Sequence, residues 1–261
     1  MKKINIYWSN FVKYRYLLIQ LVISDFKVKY RRSILGILWS LLNPILMMIV
    51  FSIIFSALFE SDIPHFAVYV LTGRIIWDLY SQATASAMLS IVNNESLIKK
   101  VYVPKYIFPL SKSIFSLVNT FFSILALIIV AFFTGGVEVT AALFLLPFPL
   151  IYTLMFATGI SFILAAYTVF FRDLEHLYQI LLTAWMYFTP LFYPVKIVPE
   201  NLRFLVELNP VYWTLEMFRQ IIEGKIPSLS LHLICFVIGA VSLLAGVLIF
   251  RKKQDRFILY V

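Results

Sequence analysis

The sequence predicts an all-α integral membrane protein with six transmembrane helices. Hydrophobic residues make up 62% of its 261 residues and charged residues only 13%, with a mean hydropathy of +0.91. A chain of that balance has too little polar surface to stay soluble as one domain. The apolar residues fall into six stretches, roughly 36–58, 67–91, 107–133, 141–170, 176–192 and 229–250. Each is near the ~20 residues a bilayer helix needs, or slightly short if tilted or re-entrant. The Lys and Arg residues counted over the connecting segments test the topology.

Cations gather before the first stretch (Lys2, Lys3, Lys13, Arg15, Lys27, Lys29, Arg31, Arg32), in the second connection (Lys99, Lys100, Lys105, Lys112) and in the tail (Arg251, Lys252, Lys253, Arg256). The first and third connections have none, the fourth has Arg172, and the fifth has four (Lys196, Arg203, Arg219 and Lys225). The positive-inside rule then places both termini in the cytoplasm, in agreement with an even number of spans. The net charge of +9 is spread over short segments flanking apolar spans, where anionic lipid is the expected partner and nucleic acid is not. Lys2 and Lys3 resemble the start of a signal peptide, but Ile4 to Arg15 has no continuous apolar core and no small-residue cleavage site, so the N-terminus is expected to be retained.

Residues 1–35 read as a cytoplasmic interface segment. Over 8–32, Trp8, Phe11, Leu18, Leu21, Val22 and Phe26 alternate with Lys13, Arg15, Gln20, Lys27 and Arg31. That pattern is too interrupted to span and fits an amphipathic helix in the headgroup plane. Residues 36–250 form the membrane domain and 251–261 a cytoplasmic tail. In the second connection, Asn93 and Asn94 are cap residues, Glu95 and Lys99 are spaced i,i+4, and Pro104 stops a short helix. A solvated loop and a docking element both fit it.

The fifth connection, within an external region 193–228, is long and patterned. Pro199 can open one short helix, and Asn209-Pro210 supplies an N-cap and N1 proline to a second that Gly224 ends. In the second helix Leu215, Phe218, Ile221 and Ile222 recur at helical spacing, while Glu216, Arg219, Gln220 and Glu223 take polar positions. A gate over the exit and plain surface packing both follow from that pattern.

Catalytic constellations are missing from the sequence. No Gly-rich loop with Lys and Ser or Thr is present to cradle phosphates, and His65, His176 and His232 form no metal-binding pattern. The single Cys235 lies in an apolar run and cannot form an intrachain disulfide. Arg74 and Asp78, spaced i,i+4 on the second stretch, can neutralise one another as a structural pair, with Arg74 facing a wet external vestibule as the alternative. Tyr178, Trp185, Tyr187, Phe188, Phe192 and Tyr193 crowd the fifth stretch. Such side chains can stack on sugar C–H faces, or pack against lipid and form an interfacial belt.

Taken in order, several pieces resemble the membrane subunit of polysaccharide ABC exporters, the type-2 permeases that include O-antigen, teichoic-acid and rhamnan transporters. They are the Asp25 to Trp39 cluster with Asn43-Pro44, Leu97-Ile98-Lys99 before Val103-Pro104-Lys105 and Phe108-Pro109-Leu110, Phe171-Arg172-Asp173, Thr189-Pro190, and Asn209-Pro210 with Phe218-Arg219 and Gly224. The resemblance runs from about residue 20 to about residue 228.

The resemblance implies a homodimer with two copies of a separate ATPase, which would bind ATP and Mg while this chain binds no cofactor. It implies a coupling helix that docks on the ATPase, here Glu95, Ser96, Leu97, Ile98, Lys99, Lys100 and Tyr102, with a smaller contact at Arg172, Asp173 and Glu175. A channel between the first and fifth spans makes Trp39, Tyr178, Thr183, Trp185, Tyr187 and Thr189 its candidate lining. An external gate is expected at Glu200, Arg203, Asn209, Pro210, Phe218 and Arg219. Lys29, Arg31 and Arg32 are candidates for meeting the diphosphate of a lipid-linked glycan, or serve topology and lipid anchoring. The implied location is the cytoplasmic membrane of a bacterium or archaeon. A drug or lipid exporter of the same superfamily and an ATPase-independent secondary transporter are the competing readings, and the absent acid/base set disfavours a membrane-embedded transferase.

Overall fold

In the computed structural model, which describes residues 2–31, 33–59 and 63–260, the chain is helical throughout and no strand occurs among the described residues. The helices are α1 (Lys2–Tyr30), α2 (Leu38–Phe59), α3 (Phe66–Met88), α4 (Glu95–Lys100), α5 (Ile107–Thr134), α6 (Pro147–Thr168), α7 (Leu174–Phe188), α8 (Arg203–Glu207), α9 (Pro210–Ile222) and α10 (Leu229–Lys253). All six apolar stretches are helical. Four of the helices, α2, α5, α6 with the turn before it, and α10, are long and apolar enough to cross a membrane.

The other two depart from the expectation for different reasons. Helix α3 has 23 residues but carries Arg74, Asp78 and Gln82 together with several hydroxyls. It can carry them because it is the centre of the bundle, packed by α2, α5, α6, α7 and α9. Val70, Leu71, Ile76, Leu79, Tyr80, Ala83, Ala87 and Met88 are fully buried on it. A helix shielded by neighbours need not present hydrocarbon on every side. Helix α7 has only 15 residues, about 22 Å at 1.5 Å per residue, which is short of a ~30 Å hydrocarbon core. The chain leaves it in extended backbone at Thr189.

The longest helix contact is α6 against α10, and glycine makes it close. A Cβ at Gly246 would run into the backbone of Gly159, and one at Gly159 into that of Ser242. The Ser242 hydroxyl donates to the Phe156 carbonyl at 3.0 Å. Small residues that let two backbones meet are the usual basis of helix association in lipid. Cys235 on α10 is buried in this layer as a packing residue.

Cations collect at one end of the bundle. There α1 lies beside the first half of α5, with Asp25 pairing Lys112 at 2.6 Å, Phe26 edge-on to Phe115 at 4.7 Å and Lys29 donating to Asn119 at 3.3 Å. Its C-terminal half thus follows a candidate spanning helix, where the sequence pattern implied a segment lying wholly in the headgroup plane. The tail is docked rather than loose: α10 continues through Lys253 into a 3₁₀ turn over 254–259, Phe257 is fully buried, and Lys105 Nζ donates to the Gln254 carbonyl at 2.7 Å.

Candidate functional site

At the cationic end, α4 offers a small exposed platform. Glu95 and Lys99 pair at 2.5 Å, as their i,i+4 spacing requires. The Lys99 ammonium, as hydrogen-bond donor and as charge, holds the Glu95 carboxyl below its ordinary range, and Arg172 lowers it further. Arg172, in the turn before α7, therefore lies within electrostatic reach of Glu95 on α4. Ser96, Lys99, Lys100 and Tyr102 are exposed, Leu97 is half-buried, and Ile98 is buried as the anchor. In the turn before α7, Arg172 and Asp173 are exposed, and Glu175 in its first turn is half-buried. One detail differs from the sequence reading: the Asn94 side chain does not cap α4 but donates to the Ser90 carbonyl at 2.8 Å.

The six channel candidates divide. Trp39 on α2 and Thr183 and Tyr187 on α7 are exposed, whereas Tyr178 and Thr189 are buried and Trp185 is half-buried against the core. The Tyr178 hydroxyl sits 3.2 Å from that of Tyr80. Thr189 Oγ1 accepts from Asn209 Nδ2 at 2.7 Å, and Trp185 Nε1 donates to Asn209 Oδ1 at 3.0 Å. Tyr178 and Trp185, seven residues apart, share the face of α7 that meets Tyr80 of α3, and Thr189, in extended backbone just beyond the helix, joins Trp185 through Asn209.

At the opposite end, α9 begins where Asn209 and Pro210 place it, with Asn209 Oδ1 accepting from Val211 N at 3.0 Å, and ends at Gly224 with φ +75°. It is no loose surface helix. Asn209 and Phe218 are buried, and α9 packs on α3, α6 and α10. Arg219, which periodicity put on a polar face, is buried too: its guanidinium stacks 3.6 Å from the Tyr69 ring and donates to the carbonyls of Pro190 at 2.9 Å and Leu191 at 3.0 Å. Those carbonyls lie in non-helical chain beyond α7 and need donors. Of the residues expected at a gate, Glu200 remains exposed, pairing loosely with Arg203 at 3.6 Å on the short turn before α8.

A polar cavity of about 130 Å³ opens between α1, α2, α3 and α5. Arg74 and Asp78 line it and pair at 2.9 Å. Lys29 and Asn119 line it as well. The cavity lies beside the last turn of α1, which carries Lys29, and the first turns of α2, which carry Asn43 and Pro44. Arg31 is exposed outside the cavity, and Arg32 lies outside the described residues. Sequence reasoning missed the cavity because its parts come from four separate helices.

A bundle of long apolar helices with an exposed charged platform at one end defines the class: a polytopic membrane protein. The model of the ABC-2 type transporter family matches residues 16–222, and the chain belongs to that family. The O-antigen export system permease protein RfbA of Myxococcus xanthus is 32% identical over 248 residues, 94% of this chain and 95% of that protein. An RfbA of Klebsiella pneumoniae is 27% identical over 241 residues, 92% of this chain and 93% of the relative. The capsule polysaccharide export inner-membrane protein CtrC of Neisseria meningitidis is 22% identical over 203 residues, 76% of each.

Proposed function

We propose that this chain is the permease of an ATP-driven exporter that carries a polysaccharide linked to a polyprenyl diphosphate, such as O-antigen, teichoic acid or rhamnan, outward across the cytoplasmic membrane. The observation that carries this reading is the likeness over 94% of the chain to a protein named an O-antigen export permease. The working unit is a homodimer with two ATPase subunits, which supply ATP and Mg. Helix α4 with Arg172 and Asp173 docks on the ATPase, the exposed faces of α2 and α7 border the glycan path, and α8 with α9 guards the exit. Helices α3 and α7 complete six crossings with both termini cytoplasmic, and Lys29, Arg31 and Arg32 meet the carrier at the inner surface.

The test is transport. Proteoliposomes holding the chain and its ATPase partner should take up a labelled polyprenyl-diphosphate glycan only with ATP. Full uptake by the chain alone, or uptake driven by an ion gradient without ATP, overturns the proposal.

A further inference from the structure

The cavity between α1, α2, α3 and α5 is chemically one-sided. Lys29 and Arg74 bring two cations to it and Asp78 one carboxylate, so with both cations charged it carries one excess positive charge. Asp78 engages Nη2 of Arg74, and the buried Nε of that guanidinium has no partner. Asn119 is more than nine-tenths buried; its Oδ1 accepts from Lys29, while its Nδ2 also lacks a partner. Both orphaned atoms are donors. A sugar hydroxyl, which donates as well as accepts, matches them less well than a group that only accepts and carries negative charge.

We infer that this cavity is a binding site for a phosphate-type oxyanion, held by Lys29, Arg74 and Asn119, with Asp78 fixing the guanidinium. Its volume equals the share of about four waters in the liquid, enough for one tetrahedral oxyanion group with little to spare. Trp39, 45% exposed, lines it at the start of α2. The phosphate can come from a polyprenyl diphosphate, from an anionic phospholipid or from free diphosphate. The first source rests on the exporter reading above, and the site itself does not.

The full chain in maltoside micelles and phosphate-free buffer is titrated with a polyprenyl diphosphate, with phosphatidylglycerol and with inorganic diphosphate, following tryptophan fluorescence. Asn119→Asp, isosteric but anionic, and the paired Arg74→Gln/Asp78→Asn, which leaves no lone buried charge, should each weaken binding about tenfold or more. Lys29→Gln should do the same, and Lys27→Gln, on the same helix and outside the cavity, should not. If Asn119→Asp does not fold, the paired variant and Lys29→Gln decide. Wild-type chain that binds none of the three probes, or cavity variants that bind them as wild type does, overturns the site. Polyprenyl diphosphate that binds equally well to wild type and to the cavity variants overturns the site but leaves the exporter reading standing. Binding of phosphatidylglycerol or inorganic diphosphate alone, weakened in the cavity variants, supports the site and counts against the carrier.

Discussion

The Trp185 indole donates to Asn209 Oδ1 at 3.0 Å, and that bond fastens the end of α7 to the start of α9. Asn209 simultaneously caps its own helix through Val211 N and donates to Thr189 Oγ1. One buried amide therefore fixes the entry of α9, the exit of α7 and the orientation of a tryptophan.

Removing that amide should cost more than a surface cap. Asn209→Ala loses the cap and leaves the Trp185 N–H without its partner, so a loss of about 2 kcal/mol is expected. Trp185→Phe removes one bond and should cost about 1 kcal/mol. Thermal unfolding of the purified chain, monitored by near-UV dichroism, orders the two. Equal stability of Asn209→Ala and wild type would show that the network is incidental.

A second junction depends on a glycine. A Cβ at Gly73 would lie 2.8 Å from the Leu191 carbonyl oxygen and 3.3 Å from Arg219 Nη2, so the backbone beyond α7 can approach α3 only where a side chain is missing. Gly73→Ala should destabilise by about 1–3 kcal/mol through overpacking. Arg219→Lys should cost about 2 kcal/mol, since an ammonium cannot both stack flat on Tyr69 and serve two carbonyls. Limited proteolysis of the 189–209 segment reports both, and unchanged protection in either variant contradicts the clamp.

Much of this architecture is legible in the amino acids. Asn209-Pro210 and Gly224 bracket α9 because a cap, a fixed φ and a left-handed stop are local requirements, and hydropathy locates the helices because lipid demands it. Burial of Arg219 is not legible, because periodicity assigns it to a polar face and only the tertiary course of Thr189 to Leu191 supplies carbonyls for it. For the same reason the depth of Arg74 and Asp78 along α3 can be counted, while their neighbours Lys29 and Asn119 cannot. The α4 platform is the converse case: its helix is legible in the sequence, and its relation to Arg172 needs the fold.

Two residues of that platform should separate docking from folding. Ile98 is the buried anchor, and Ile98→Ala should lower stability by about 2 kcal/mol or more. Tyr102, 88% exposed, has no such role, so Tyr102→Ala should leave the melting curve alone and weaken co-purification of the proposed ATPase partner. A Tyr102→Ala chain that retains its partner at wild-type yield removes this residue from the interface.

The Glu95 carboxyl titrates below its ordinary value of 4.5 because Lys99 favours its charged form. A group with a depressed folded value contributes stability that is fully present above the unfolded value and is lost as pH falls through the folded one. A fluorophore attached through Ser96→Cys should therefore show higher anisotropy in wild type than in a Glu95→Gln background above pH 4.5, and the two should converge in more acid solution. Curves that coincide at neutral pH would mean that the pair does not order α4.

The division of α7 into two faces sets the last prediction. Thr183 and Tyr187 are exposed on one face, while Tyr178, Trp185 and Thr189 are bound into the bundle on the other. A glycan sliding past α7 needs exchangeable hydroxyl and aromatic contacts without a deep minimum. Thr183→Leu and Tyr187→Leu remove such contacts from exposed positions, so export should slow several-fold while the melting temperature holds. Tyr178→Phe removes a hydroxyl directed to Tyr80 and Thr84 inside the bundle, and should cost about 1 kcal/mol of stability with export per folded molecule unchanged. Glycan export by Thr183→Leu and Tyr187→Leu at the wild-type rate would move the path away from α7, whereas an export defect in Tyr178→Phe at full stability would return that residue to it.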